Sequence, residues 1–208
     1  MNVRRGLYIQ SGASVDPWLI ASKLADEVVI SHDGALSFHG VSGLGHRISF
    51  MTRSRTSVLR FGDVIYQPIR VRERRFMNAQ QFKRGDHTLS VTSLSTTFVD
   101  CLANLDRSPP AVELLTLLRS SLGKLDPKRM ISHARWYNSP LLISRLAFFL
   151  SCAGCDLDSS DVQILNGHGV QEPTYFQRST RTKEDSLIAR WNLIVSPELH
   201  GCLLHEAR

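Results

Sequence analysis

Hydrophobic periodicity changes near Ser93, and this change limits the fold more than any other feature of the chain. Between residues 46 and 92 the segments "HRISFMT", "SVLRFG", "VIYQPIRV", "RRFM" and "HTLSVTS" are short and rich in β-branched or aromatic residues, with Gly, Pro and Ser between them. Segments of this kind suit a pleated, half-buried surface and predict an antiparallel sheet of about four or five strands. Pro68 cannot donate to a ladder, so "VIYQPIRV" is expected at an edge or a bulge. After Ser93 the pattern turns helical. "STTFVDCLANLD" offers Ser95 or Thr96 as a cap and Phe98, Val99, Leu102 and Leu105 as an apolar face. "PPAVELLTLLRSSLG" runs from a proline to Gly123, while "DPKRMISHARWYN" and "SPLLISRLAFFLSCAG" each open on a capping residue followed by proline. A sheet followed by a cluster of about four helices is an α+β arrangement.

The flanks are read in the same way. "VRRGLYIQ" is expected to be a strand with its turn just before it, and "VDPWLIASKLAD" a short helix with Asp16 as N-cap and Pro17 at its first position. "VVI" is read as a brief extended link. In "ISHDGALSFHG", Ser31 and Asp33 are both plausible N-caps and Gly40 suits the position after the helix. Beyond residue 156 the segments "VQIL", "RWNLIV" and "CLLHE" are read as strands around an exposed "QRSTRTKEDS" loop, and "NGHG" as a turn.

Charge is the second constraint. The chain carries a formal net charge of +6 and 42% hydrophobic residues, enough for a packed core. Residues 47–84 contain Arg47, Arg53, Arg55, Arg60, Arg70, Arg72, Arg74, Arg75, Lys83 and Arg84 against only Asp63 and Glu73, so the excess positive charge is concentrated there. In Ile69-Arg70-Val71-Arg72 the cations alternate with apolar residues, which predicts one basic and one buried sheet face. Such a face suits a polyanion, so these ten residues are the candidate nucleic-acid contacts. A solvated arginine-rich face is the alternative. No run approaches the roughly 18 apolar residues of a membrane span, and no apolar stretch follows the basic N-terminus as in a signal peptide. Four cysteines do not make a disulfide framework and fit a reducing cytoplasm.

Catalytic signatures are missing. The sequence has no GxSxG, P-loop or GxGxxG. Cys152 and Cys155 have the spacing of half a zinc site or a redox motif, with Cys101, Cys202, His168 and His200 as loose additions. Following a core helix, they are read as structural. His32, Asp33 and His39 need a further ligand to hold a metal, and helix capping accounts for their surroundings without one. The expectation is a protein with no cofactor, no metal and no enzymatic activity.

Several phrases together resemble the AbiEi family of antitoxins and transcriptional regulators from type IV toxin–antitoxin systems. They are "RRGLYIQ", "DPWLIASKLADEVVISHDGALSFHG", "HRISFMT", "VTSLSTTFVDCLANL" and "LDPKRMISHARWYNSPLLISRLAFFLSCAG", in order over roughly residues 3–155. The most specific is "VISHDGALSFHG", and Asp100 matches an aspartate of the family's later motif, although Thr96-Thr97 departs from its usual Glu-Arg-Thr. The resemblance implies that residues 1–12 are the remnant of a winged-helix wing, with the recognition helix expected before Met1, and that residues 13–208 form the antitoxin domain. It also implies DNA at the promoter of the protein's own operon and a nucleotidyltransferase-like toxin as functional partner. A protein-interaction module that binds an acidic partner without DNA is the alternative, and a metal-dependent enzyme using His32, His39 and the Cys152 region is a third reading.

Overall fold

The computed structural model describes residues 2–4, 6–9, 16–72 and 79–204, and the chain divides into two compact units, residues 1–97 and 98–208. The α+β expectation holds. In the first unit a hairpin joins β1 (Asn2–Arg4) to β2 (Leu7–Tyr8), with Gly6 at φ +83°. The turn therefore lies inside "VRRGLY" rather than before it.

Among the described residues the main sheet is six-stranded. It contains β3 (Val29–Ile30), β4 (Arg47–Thr52), β5 (Leu59–Phe61), β6 (Val64–Arg70), β7 (Ala79–Arg84) and β8 (His87–Thr92), in the order β5-β6-β4-β3-β8-β7. It is mixed where an antiparallel sheet was expected, because β4 pairs β6 and β3 pairs β8 in parallel. The supposed link "VVI" supplies the strand between β4 and β8. Both residues of β3 are buried, so it shows no alternation that a period-2 reading could detect. The "AQQFKR" strand β7 was not expected, and the expected "RRFM" strand lies outside the described residues.

Pro68 shows how the sheet accommodates a residue with no N–H. Ile65 N–H donates to His46 O and Val71 N–H to Thr52 O, so odd-numbered residues of β6 donate towards β4. Pro68 faces the other side, and there β5 extends only as far as Tyr66, opposite Leu59. The strand is interior at its start and a local edge where proline falls, so no ladder bond is lost.

Two short helices cover one face of the sheet. The first, α1 (Pro17–Ser22), begins as expected: Asp16 accepts the N–H groups of Trp18 and Leu19. Ile20, Ala21 and Leu24 pack on Ile48, Phe50 and Tyr66. Ala35 of the second, α2 (His32–Phe38), packs on Ile30, Leu89 and Val91. Val29, Met51, Ile69 and Val71 form a smaller cluster, and the strand register sets Val29, Met51 and Ile69 on the opposite face.

Helix α3 (Leu94–Ala103) spans the boundary between the units. It starts earlier than expected, because Ser93 Oγ accepts the Thr96 N–H at 3.3 Å and Ser93, not Ser95 or Thr96, is the cap. The second unit continues with α4 (Ala111–Ser121), α5 (Pro127–Trp136), α6 (Pro140–Cys152), α7 (Ser159–His168) and α8 (Pro197–Leu204). Asp126 and Ser139 cap α5 and α6 as the sequence implied. A small sheet combines β9 (Thr174–Tyr175), β10 (Ser186–Ile188) and β11 (Leu193–Val195). "VQIL" is helical within α7, where Asp158 accepts the Asp161 N–H at 2.8 Å, and "CLL" is helical within α8 behind Pro197. Only "RWNLIV" yields the expected strand.

Two arginines of this unit serve helix ends. Arg145, which interrupts the apolar run of α6, donates to Leu102 O in the last turn of α3 and to Phe176 O. Burial pushes its guanidinium down to about 10, with Asp106 acting in the opposite direction. Arg119 donates to Cys152 O and Cys202 O in the last turns of α6 and α8.

Candidate nucleic-acid interface

The stretch Ser31–Gly40 contains His32 and His39 and lies where α2 meets β3 and β4. Ser31 N–H donates to Ser49 O at 3.1 Å, continuing β3 alongside β4. Asp33 then anchors α2: its Oδ1 accepts the Gly34 and Ser49 N–H groups at 2.7 and 2.8 Å, and its Oδ2 pairs with Arg47. Gly34 lies so close to β4 that a Cβ there would come within 2.6 Å of Ser49 O. Trp18 Nε1 donates to Gly34 O at 3.0 Å. His39 Nε2 donates to Thr92 O at 2.8 Å, which fixes its tautomer, and Gly40 closes the helix at φ +68°. His32 shares a 3.0 Å hydrogen bond with Ser31 Oγ and holds φ +51°. Asp33 and His39 thus tie α2 to the sheet, and Trp18 ties it to α1.

The cysteines follow a similar pattern. Cys101 and Cys152 are buried thiols, and Cys155 and Cys202 are half-buried thiols. Burial, with Asp156 and Asp161 nearby, pushes the Cys155 thiol up, away from the reactive thiolate. Among the described residues no group of three or more His, Cys, Asp or Glu side chains is arranged to hold a metal ion.

The basic residues fall into three sets. Arg47 pairs with Asp33, Arg53 binds Glu27 through two nitrogens, and Arg84 lies 3.4 Å from Asp16 with its guanidinium over the rings of Trp18 and Phe38. Those three have local work. Arg55, Arg60, Arg70, Arg72 and Lys83 are exposed, and no ion pair engages them among the described residues. Arg74 and Arg75 lie outside the described residues.

Strand register then decides which cations can act together. Arg60 and Arg47 both flank Ile65, on the same face and at the start of β6. Arg70 stands opposite Thr52, on the other face and at the far end. The expected alternation holds locally, since Ile69 and Val71 are buried while Arg70 and Arg72 are exposed. One continuous basic face does not follow from it. Because β4 and β6 run parallel, Arg70 and Arg72 leave the sheet at the same end as Arg53 and Arg55. Strand β8 runs parallel to β3 and antiparallel to β4, so the hairpin that carries Lys83 and Arg84 points to that end as well. Arg55 also lines a shallow cleft with Asp26, Ser54, Thr56 and Ser57. The convergence is at a sheet end, and sequence alternation alone could not reveal it.

No protein-family model matches the sequence, and neither does any curated protein. The fold is similar to the crystal structure of the RV2827C protein from Mycobacterium tuberculosis, with a TM-score of 0.62 at 16% identity over 92% of this chain and 71% of that one. At that identity the likeness is one of fold. Among the described residues no helix is long and apolar enough to cross a membrane.

Proposed function

We propose that this protein is a cytoplasmic, non-enzymatic antitoxin and transcriptional regulator of a type IV toxin–antitoxin system. In this reading it binds DNA at its own promoter and counteracts a nucleotidyltransferase-like toxin. The family part rests on the AbiEi-like phrases, above all "VISHDGALSFHG". The DNA part rests on one observation: parallel pairing of β4 with β6 brings exposed Arg70 and Arg72 to the sheet end where Arg53 and Arg55 also emerge.

Arginines on flexible stems at a strand end suit phosphate oxygens, and phosphate contacts position a protein without reading sequence. Duplex binding through this surface alone is therefore weakly selective and steep in salt. The deciding measurement is the salt dependence of duplex DNA affinity, for which log K falls by about 0.9 per neutralised phosphate for each unit of log salt. A falling line whose slope flattens in R70Q/R72Q supports the reading. A flat line refutes this surface as a DNA contact and favours the alternative, a protein-interaction module that uses the helical half to bind an acidic partner without DNA.

A further inference from the structure

A second surface, within residues 98–208, has chemistry of a different kind. The exposed residues of α5 are Lys128, Arg129, Ser132, Arg135 and Trp136. At 100° per residue they share an arc of about 120°, while Met130, Ile131, His133 and Ala134 are buried on the opposite side. Trp136 is 58% exposed. More than half of this indole is left in water, on a helix face that also carries cations. Lys128 is engaged by Asp158 at 3.0 Å, whereas Arg129 and Arg135 carry no ion pair among the described residues.

The helix is held firmly from beneath. Asp100 is 2% exposed, and its Oδ1 accepts His133 Nε2 at 2.9 Å and the Tyr137 hydroxyl at 2.5 Å. His133 packs its ring 6.0 Å from that of Trp136 and 5.6 Å from that of Tyr137. The exposed indole thus has a fixed neighbour on its inner side, which lowers the entropy lost when a ligand stacks on its outer side. Arg135 also lines a cleft of about 250 Å³ together with Asn138 and His168.

We propose that this face of α5 binds single-stranded nucleic acid, with Trp136 as a stacking platform for an unpaired base and Arg129 and Arg135 as phosphate contacts. Indole stacking requires an unpaired base, because a paired base in a duplex has both faces covered by its neighbours. Stacking tolerates any base, so selectivity here is for strandedness rather than sequence. The inference does not rest on the basic sheet end, whose arginines address duplex phosphates.

The test uses the full chain with a short fluorescein-labelled oligo(dT) and, separately, a duplex of matched length, both at low salt. W136A should weaken oligo(dT) binding by about tenfold, while W136F keeps most of it. R129Q/R135Q should flatten its salt dependence. Duplex affinity should be unchanged in all three variants, and R70Q/R72Q should alter the duplex but not oligo(dT). Since Trp136 is exposed, unchanged melting curves establish that the variants fold. Equal oligo(dT) affinity for W136A and wild type, or no oligo(dT) binding at all, overturns the proposal. So does Trp136 fluorescence that responds to phosphatidylglycerol vesicles and not to oligo(dT), which would make this a lipid-facing surface.

Discussion

Asp33 Oδ1 accepts the backbone N–H of Ser49 at 2.8 Å, tying the first turn of α2 to the middle of β4. The same carboxylate holds Arg47 and the Gly34 N–H. Removing it leaves a largely buried donor unsatisfied and a cation without its partner. D33A should therefore destabilise the fold by about 2–3 kcal/mol, and D33N by less, since an amide oxygen can still accept both N–H groups and only the Arg47 pair is lost. Urea denaturation followed by circular dichroism measures both.

Gly34 tests the same joint sterically. A methyl group there meets a backbone oxygen at 2.6 Å, and backbone yields less easily than a side chain. G34A should cost about 2–3 kcal/mol even though alanine favours helices. If G34A proves neutral, α2 does not sit this close to β4.

Tyr66 supplies a pH signature. Its hydroxyl is buried with no hydrogen-bond partner among the described residues, and burial, helped by Asp16, pushes its phenol up to about 12. A raised folded-state pKa gives stability that is complete below the unfolded value near 10 and is lost as pH rises through about 12. Y66F removes the titrating group, so alkaline melting curves of the variant should fall less steeply over that window than those of wild type. At neutral pH Y66F should be as stable as wild type, or more stable by about 1 kcal/mol, because it no longer buries an unsatisfied hydroxyl.

Cys155 carries a thiol that burial pushes up. Near the ordinary cysteine pKa of about 8.5 it should react with iodoacetamide more slowly than a free cysteine does. Peptide mapping of the alkylated protein reads this directly. Rapid, selective labelling of Cys155 would revive a redox role for the Cys152–Cys155 pair.

Local signals in the sequence translated well. Asp16-Pro17, Asp126-Pro127 and Ser139-Pro140 each open a helix, because a cap and a proline act through the adjacent backbone alone. Non-local signals did not translate. Val29–Ile30 is too short and too buried to show a period, yet it bridges β4 and β8 and makes the sheet mixed. "VQIL" looks strand-like until Asp158 caps the helix containing it. The site divided along the same line. Composition located the basic segment, but only the register shows that Arg47 and Arg53 are held by Asp33 and Glu27 while Arg70 and Arg72 are not. The buried Asp100–His133–Tyr137 network beneath Trp136 joins residues 33 and 37 positions apart, and no spacing rule connects them.

That division among the arginines gives the last prediction. Arg53 donates through two nitrogens to Glu27, and both side chains remain partly exposed. An exposed pair of this kind adds little stability, but it supplies an anion that DNA phosphate must displace before Arg53 can contribute. Arg70 and Arg72 face no such competitor among the described residues. If the sheet end binds duplex DNA, R70Q/R72Q should lower the salt slope by about two contacts, with each contact worth about 0.9 in log K against log salt. R53Q should lower it by much less than one contact. E27Q should act in the opposite direction: with Arg53 released, affinity at low salt should rise and the slope steepen towards one further contact. Melting curves should barely change for any of these variants, which separates loss of binding from loss of fold. Equal slopes for R53Q and for either single variant at Arg70 or Arg72 would mean that Glu27 does not hold Arg53 in solution, and the three arginines would then count alike.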